Sequence, residues 1–164
     1  MLPLAAFKIC SGGQTGTDRA ALDWAIEKGI AHGGWCPAGR LAEDGIIPAR
    51  YQLDELLDGG YLERTRANVR DSDATLIVTL SARLSGGSLQ TARFAAGLHK
   101  PCLHVYPQKD WMRLLENWNQ PKLGGVLNVA GPRASKAPGI EVFVAEALEW
   151  VWRGKYCRSR ASIN

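Results

Sequence analysis

Three glycine-rich segments carry the residue types that bind anions through the backbone. The first, SGGQTGTD, covers residues 11–18, the second, SGGS, covers residues 85–88, and the third, GPRAS, covers residues 131–135. Glycine lets a backbone approach a ligand closely, and the free N–H groups at the start of a helix attract negative charge. Because helical patterns follow the first two segments, they predict a site for a phosphate or another oxyanion.

The predicted ligand-binding residues come from the first two segments and from the loop that follows the second predicted strand. Hydroxyl groups would add hydrogen-bond donors there, and an arginine would add positive charge. The candidates are Ser11, Gly12, Gly13, Gln14, Thr15, Gly16, Thr17, Arg40, Gly86, Gly87, Ser88 and Thr91. Glycines also make tight strand-to-helix turns that bind nothing, so the prediction depends on the segments meeting at one edge.

The first segment differs from two common nucleotide-binding loops. It lacks the G-K-[ST] ending of a Walker A loop, and its glycines at positions 12, 13 and 16 do not have the G-x-G-x-x-G spacing. The sequence therefore gives little support to a nicotinamide dehydrogenase.

Two carboxylates are candidates for acid–base catalysis if the protein is an enzyme. Asp18 is the last residue of the first glycine segment, and Asp44 lies in a long loop after the second predicted strand. Each has a simpler interpretation, since an acidic side chain suits the start of a helix and loop acids are usually solvated. The sequence does not decide between a catalyst and a protein that only binds.

The four cysteines and three histidines show no spacing typical of metal ligands, so no metal site is predicted. Cys10 and Cys102 fall in apolar, strand-like runs, which predicts buried, reduced thiols and a cytoplasmic protein. No apolar run is long enough to span a membrane, so no membrane partner is predicted.

Strand patterns alternate with helical patterns along the chain, which predicts parallel strands joined by helical crossovers. The fold class is therefore α/β: a doubly wound, Rossmann-like, mainly parallel sheet of five or six strands with helices on both faces. In such a sheet ligands bind beyond the carboxyl ends of the strands, where all three glycine segments should lie. The predicted strands are residues 5–10, 30–35, 74–80, 101–106 and 125–131.

We expect one domain over residues 1–153 and a basic C-terminal tail over residues 154–164. The formal net charge is only +4, and part of it lies in this tail. A solvated terminus is the more common interpretation, which makes nucleic acid a less favoured partner. The loop over residues 36–60 is long for a plain connection. It has two interpretations, a fixed loop or a lid that closes.

Four blocks of sequence resemble the "putative molybdenum carrier protein" family, within a Rossmann-like nucleotide-binding group related to lysine-decarboxylase-like proteins. The resemblance runs from about Phe7 to the last helix. It implies a Rossmann-like fold, a homo-oligomer, and binding of molybdenum cofactor as cargo or of another phosphate-bearing, nucleotide-like ligand. The blocks are SGGQTGTDRAALDWAI, HGGWCPAGRLAEDGIIPARY, ERTRANVRDSDATLIVTL and SGGSLQTARFA.

A related branch of that group contains cytokinin phosphoribohydrolases, which carry a P-G-G-x-G-T-x-x-E segment. The corresponding stretch here, residues 85–93, lacks the proline, the third glycine and the acidic residue. We therefore favour a binding or carrier protein. A hydrolase acting on a nucleoside monophosphate is the alternative, and a single-stranded nucleic-acid binder using the basic tail is a third hypothesis.

Overall fold

Short apolar segments build the central sheet of the protein, and amphipathic segments between them build the helices. The computed structural model describes residues 7–122 and 124–161, with the backbone alone for residues 156–161. Its helices are α1 Thr17–Glu27, α2 Tyr61–Arg70, α3 Gly86–Gly97, α4 Trp111–Asn117 and α5 Ile140–Ala161. Its strands are β1 Lys8–Cys10, β2 Ala31–Gly33, β3 Trp35–Pro37, β4 Leu41–Ala42, β5 Gly45–Ile46, β6 Asp54–Leu56, β7 Ala74–Val78, β8 Cys102–Val105 and β9 Val126–Ala130.

The central sheet has five parallel strands in the order β2-β1-β9-β7-β8. These are the five strands that the sequence predicts, so the doubly wound α/β fold is confirmed. All five residues of β7 are buried, as expected for a strand that is covered on both faces.

Side chains alternate between two helical layers. Ile9 and Leu76 point into the main core, which they share with residues of α1, α4 and α5. Cys10 points the other way, where its thiol donates to Oδ1 of Asn68 in α2, at 3.3 Å. Helix α2 packs against α3 on that side. Helices therefore cover both faces of the sheet.

The long loop is more ordered than its sequence indicates. β3 and β6 form a small parallel pair, and a second core lies beneath it. β4 and β5 form an antiparallel hairpin over residues 41–46, which we call the flap. The second core consists of Leu22, Cys36, Ile47, Tyr51 and Leu53.

Helix α5 continues through Ala161. Residues 154–161 of the predicted basic tail therefore belong to this helix, and residues 162–164 lie outside the described part of the chain. Cys102 is exposed, so the expectation of a buried thiol there was wrong: it lies on β8, an edge strand of the sheet. No helix in the described ranges is long and apolar enough to cross a membrane.

Candidate functional site

The three glycine-rich segments border one cleft at the carboxyl edge of the sheet. β1, β9 and β7 are neighbours in the sheet, so the loops that follow them lie side by side. The cleft has a volume of about 530 Å³, which falls within the range of small-molecule sites. Its walls come from residues 12–18, 61–68, 79–91 and 128–137.

The N-terminus of helix α3 borders this cleft with backbone N–H groups that have no acceptor within the helix. Its first intrahelical bond runs from the Leu89 amide to the Ser85 carbonyl, at 3.3 Å. The N–H groups of Gly86, Gly87 and Ser88 precede that bond and have no acceptor inside the helix. Gly86 has a φ of 51°, a left-handed conformation that favours glycine. The helix start therefore matches the predicted anion-binding geometry.

A buried arginine from α2 lies in the same cleft. Arg64 is only 5% exposed, and its guanidinium lies over the ring of Tyr61, with Cζ 4.6 Å from the ring centroid. Its Nε has no hydrogen-bond partner among the described residues. Buried polar groups are almost always paired, so this donor is suited to an acceptor that the protein does not itself supply.

The carboxylate of Asp18 is the counter-charge of Arg64. The two side chains approach to 3.5 Å, and Asp18 also accepts the Gln14 amide at 3.1 Å. Burial raises the pKa of Asp18, and the charge of Arg64 opposes that shift. A single long contact to Asp18 leaves most of the guanidinium donors of Arg64 available.

Positive charge dominates the walls of the cleft. Arg83, Arg133 and Lys136 border it together with Arg64, whereas Asp18 is the single carboxylate among the described lining residues. Cations that converge on open amides favour an anionic ligand. Arg64 is not among the residues predicted from the sequence, and the available signal was its position on the same stripe of α2 as Ala67 and Asn68, which are buried.

The first glycine segment divides between the cleft and the interior. Gly12, Gln14 and Asp18 line the cleft. Ser11 is buried and donates its hydroxyl to the Val129 carbonyl at 2.7 Å. Thr17 is also buried, with its amide bonded to the Pro132 carbonyl at 3.2 Å. The Thr17 contact joins the first segment to the third, and the Ser11 contact joins it to β9.

Two glycines of the first segment serve packing. A Cβ on Gly16 would lie 2.6 Å from the Ala134 nitrogen, so Gly16 lets the first and third segments touch. A Cβ on Gly13 would lie 2.5 Å from the Leu53 side chain in the second core. Gly86, Gly87 and Ser88 of the second glycine segment line the cleft, as does Thr91 further along α3.

Two of the predicted site residues lie in the long loop and not on the cleft walls. Arg40 donates to the carbonyls of four residues of its own loop, which are Ile47, Pro48, Tyr51 and Leu53. Its guanidinium therefore holds the loop together and is engaged there. Asp44 forms a bidentate ion pair with Arg19, whose Nη1 and Nη2 donate to its carboxylate oxygens at 2.5 and 2.8 Å. This pair lies outside the cleft lining. The structure gives Asp44 no position for acid–base chemistry there.

Polar contacts fasten the flap across the glycine segments. Glu43 accepts the hydroxyl of Ser135 at 2.5 Å and the Ser135 amide at 3.2 Å, and it also accepts the hydroxyl of Thr15. These hydrogen bonds lower the pKa of Glu43. Thr15, predicted as a ligand contact, therefore belongs to the latch that holds the flap.

One hydroxyl of the cleft is paired with a histidine. Thr79 Oγ1 lies 2.7 Å from His104 Nε2 and 2.7 Å from the Ser81 carbonyl. The carbonyl can only accept, so it takes the single hydroxyl proton, and His104 Nε2 must then carry the proton that it donates to Thr79. Burial lowers the pKa of His104. In this arrangement His104 is not a base for Thr79.

The described residues contain no group of three or more His, Cys, Asp or Glu side chains that could hold a metal ion. The cleft is lined instead by backbone amides, hydroxyls and cations.

Comparison with known proteins gives one family and one solved structure. The model of the "circularly permutated YpsA SLOG family" matches residues 9–152. The chain is also similar to a crystal structure described as a "putative molybdenum carrier protein" from Syntrophus aciditrophicus SB. The two share 48% sequence identity with a TM-score of 0.83, over 90% of this chain and 95% of that chain. No curated protein matches the chain.

Proposed function

The chain belongs to the circularly permutated YpsA SLOG family, and from this membership and its cleft we propose that it is a binding or carrier protein for a phosphate-bearing ligand. Molybdenum cofactor as cargo, or a nucleotide-like molecule, is the proposed ligand. The similar structure from Syntrophus aciditrophicus SB, named as a carrier, supports the role. No catalytic group is required for it.

The observation that carries this proposal is the unpartnered Nε of Arg64 beside the open start of α3. A buried N–H donor that lacks a partner costs stability unless a ligand completes it. An anion held by charge-assisted bonds to Arg64 and by the amides of Gly86 and Gly87 would satisfy both groups.

Calorimetric titration tests the proposal with inorganic phosphate, nucleoside monophosphates and molybdenum cofactor. We expect saturable binding and a rise in melting temperature with ligand concentration. The double variant Arg64→Gln/Asp18→Asn removes both buried charges together, and it should weaken binding by about tenfold or more.

The matched control is Arg70→Gln, on the same helix. Arg70 pairs with Asp71 on the surface, and its side chain is 57% exposed. This variant should bind as the wild type does. If none of the three ligand types binds the wild type at millimolar concentration, the proposal fails.

A nucleotide-processing hydrolase is the second candidate, favoured by one observation. Asp18 is a carboxyl group in the cleft whose pKa is raised by burial, which is typical of acid–base groups. We expect nucleoside monophosphates to remain intact on incubation, because Asp18 is paired with Arg64. Product release that disappears in Asp18→Asn would instead favour the hydrolase.

We also infer that the protein forms a homo-oligomer in the cytoplasm. Leu41 and Ile46 of the flap are 60% and 72% exposed, and such apolar side chains are suited to burial against another subunit. The thiols of Cys10, Cys36 and Cys102 are free, which agrees with a reducing compartment.

A further inference from the structure

The cleft continues into a smaller compartment beneath the flap, which we call the side compartment. It has a volume of about 260 Å³. Pro37, Leu41, Ala42 and Glu43 line it on the side of the long loop. Both spaces share the five lining residues Gly12, Gln14, Tyr61, Arg64 and Arg133. A ligand in the cleft therefore lies next to the side compartment.

Tyr61 links the two spaces. It borders both of them, and a Cβ on Gly87 would lie 2.2 Å from its hydroxyl oxygen, so the ring reaches the start of α3. Arg64 stacks on the same ring. A ligand group that packs along Tyr61 would thus be separated from the proposed anion site by no more than this side chain.

The side compartment differs from the cleft in its chemistry. Pro37, Leu41 and Ala42 give it apolar walls, and Tyr61 adds an aromatic wall. The side-chain oxygen of Gln14 at its rim is engaged, since Oε1 accepts the amides of Thr15 and Glu43, each at 3.0 Å. Its cations, Arg64 and Arg133, are the ones that it shares with the cleft.

We propose that the side compartment holds an uncharged, flat group of the ligand, joined to the anion that binds at the start of α3. This inference rests on the proposed function. It names the ligand class as a phosphate ester whose substituent is a planar ring, packed against Tyr61 and roofed by the flap. Aromatic rings pack well on such a wall, and their burial adds to the affinity that the anion provides.

Three probes separate the two sites: inorganic phosphate, methyl phosphate and phenyl phosphate, titrated by calorimetry. Inorganic phosphate and methyl phosphate report on the anion site alone. Phenyl phosphate should bind about tenfold more tightly than methyl phosphate, because its ring enters the side compartment. Failure of all three to bind overturns the anion site at the start of α3 on which both proposals rest, whereas equal binding of the two esters overturns this inference only.

Two variants locate the gain in affinity. Ala42→Phe fills the compartment, and Leu41→Asp places a charge on the compartment wall. Because the Leu41 side chain is 60% exposed, the Leu41→Asp variant is less at risk of misfolding. Each should remove the advantage of phenyl phosphate while inorganic phosphate binding persists. The control Leu57→Ala shortens an apolar side chain that is 76% exposed and lines neither space, and it should keep the advantage. An advantage that survives in both Ala42→Phe and Leu41→Asp overturns the inference.

Discussion

At the scale of single residues, the site depends on the absence of one side chain. A Cβ on Gly12 would lie 1.5 Å from Nη1 of Arg64 and 2.9 Å from Oδ2 of Asp18. The glycine therefore makes room for the buried ion pair. No left-handed φ is involved at Gly12, in contrast to Gly13 and Gly16, so its role is steric and does not concern backbone strain.

Gly12→Ala tests this role without changing any charge. The new methyl group has to displace Arg64, so we expect phosphate affinity to fall by about tenfold. The free energy of unfolding should fall by about 1–3 kcal/mol because of overpacking. Calorimetry measures the affinity, and urea denaturation measures the stability.

The control for that substitution is Gly97→Ala, at the end of α3. A Cβ on Gly97 would meet nothing within 4 Å. This variant should bind phosphate as the wild type does and gain slightly in stability. Unchanged phosphate affinity in Gly12→Ala would show that the position of Arg64 does not matter for binding.

At the scale of elements, the flap differs from the loop that carries it. Ile47 and Tyr51 anchor the loop in the second core, and Arg40 ties its carbonyls together. Five of the six flap residues are exposed on the surface next to the polar latch: Leu41, Glu43, Asp44, Gly45 and Ile46. The flap is thus held chiefly by hydrogen bonds and an ion pair, and it is the element that we expect to open most readily.

Glu43→Gln tests the latch. The loss of charge weakens the bonds from Ser135 and Thr15, so the backbone amides of the flap should exchange with deuterium a few-fold faster. Hydrogen-exchange mass spectrometry measures this directly. Glu27→Gln, at an exposed position on α1, is the control and should leave flap exchange unchanged.

The latch should also depend on pH. Hydrogen bonds lower the pKa of Glu43 from its ordinary value of 4.5. Its contribution to stability is therefore present above 4.5 and is lost as the pH falls through the lowered pKa. Flap exchange, corrected for the intrinsic rate at each pH, should accelerate in that window in the wild type. A similar acceleration in Glu43→Gln would exclude Glu43 as the titrating group.

The sequence predicts the elements of the sheet better than the contacts of the loops. β7 is a run of apolar and β-branched residues, and its pattern predicts one structure. Arg40 and Asp44 were predicted to face the ligand because their loop follows β2, but they bind partners within that loop or on α1. Such pairings depend on which side chains meet in space, and local patterns do not contain that information.

Arg64 is the converse case: it lies in the cleft, but local sequence patterns did not predict it there. In sequence it is one of several charged residues of α2, and charged residues on a helix are usually solvated. Its burial follows from where α2 packs against β3 and α3, which is a property of the whole fold. The glycine segments could be recognised from sequence because their chemistry is local. The proposed cation, Arg64, could not be recognised, because its burial depends on the whole fold.

At the scale of the whole molecule, the flap has two faces with different surroundings. Ala42 lies on its inner side, against the second core and the side compartment, and Leu41 borders that compartment while it remains 60% exposed. Leu41 and Ile46 are cross-strand partners, and together they present exposed apolar surface to the outside. A second subunit that covers this surface would restrain the flap, so that self-association and access to the side compartment would be coupled.

Ile46→Glu tests whether this surface forms the subunit interface. A buried, unpaired carboxylate is costly, so the variant should dissociate at protein concentrations where the wild type is an oligomer, as measured by sedimentation equilibrium. Val142→Glu is the matched control, because Val142 is 67% exposed and lies on α5. It should remain associated. A wild type that stays monomeric at high concentration would contradict the homo-oligomer, whereas an oligomer that survives Ile46→Glu would exclude the flap as its interface.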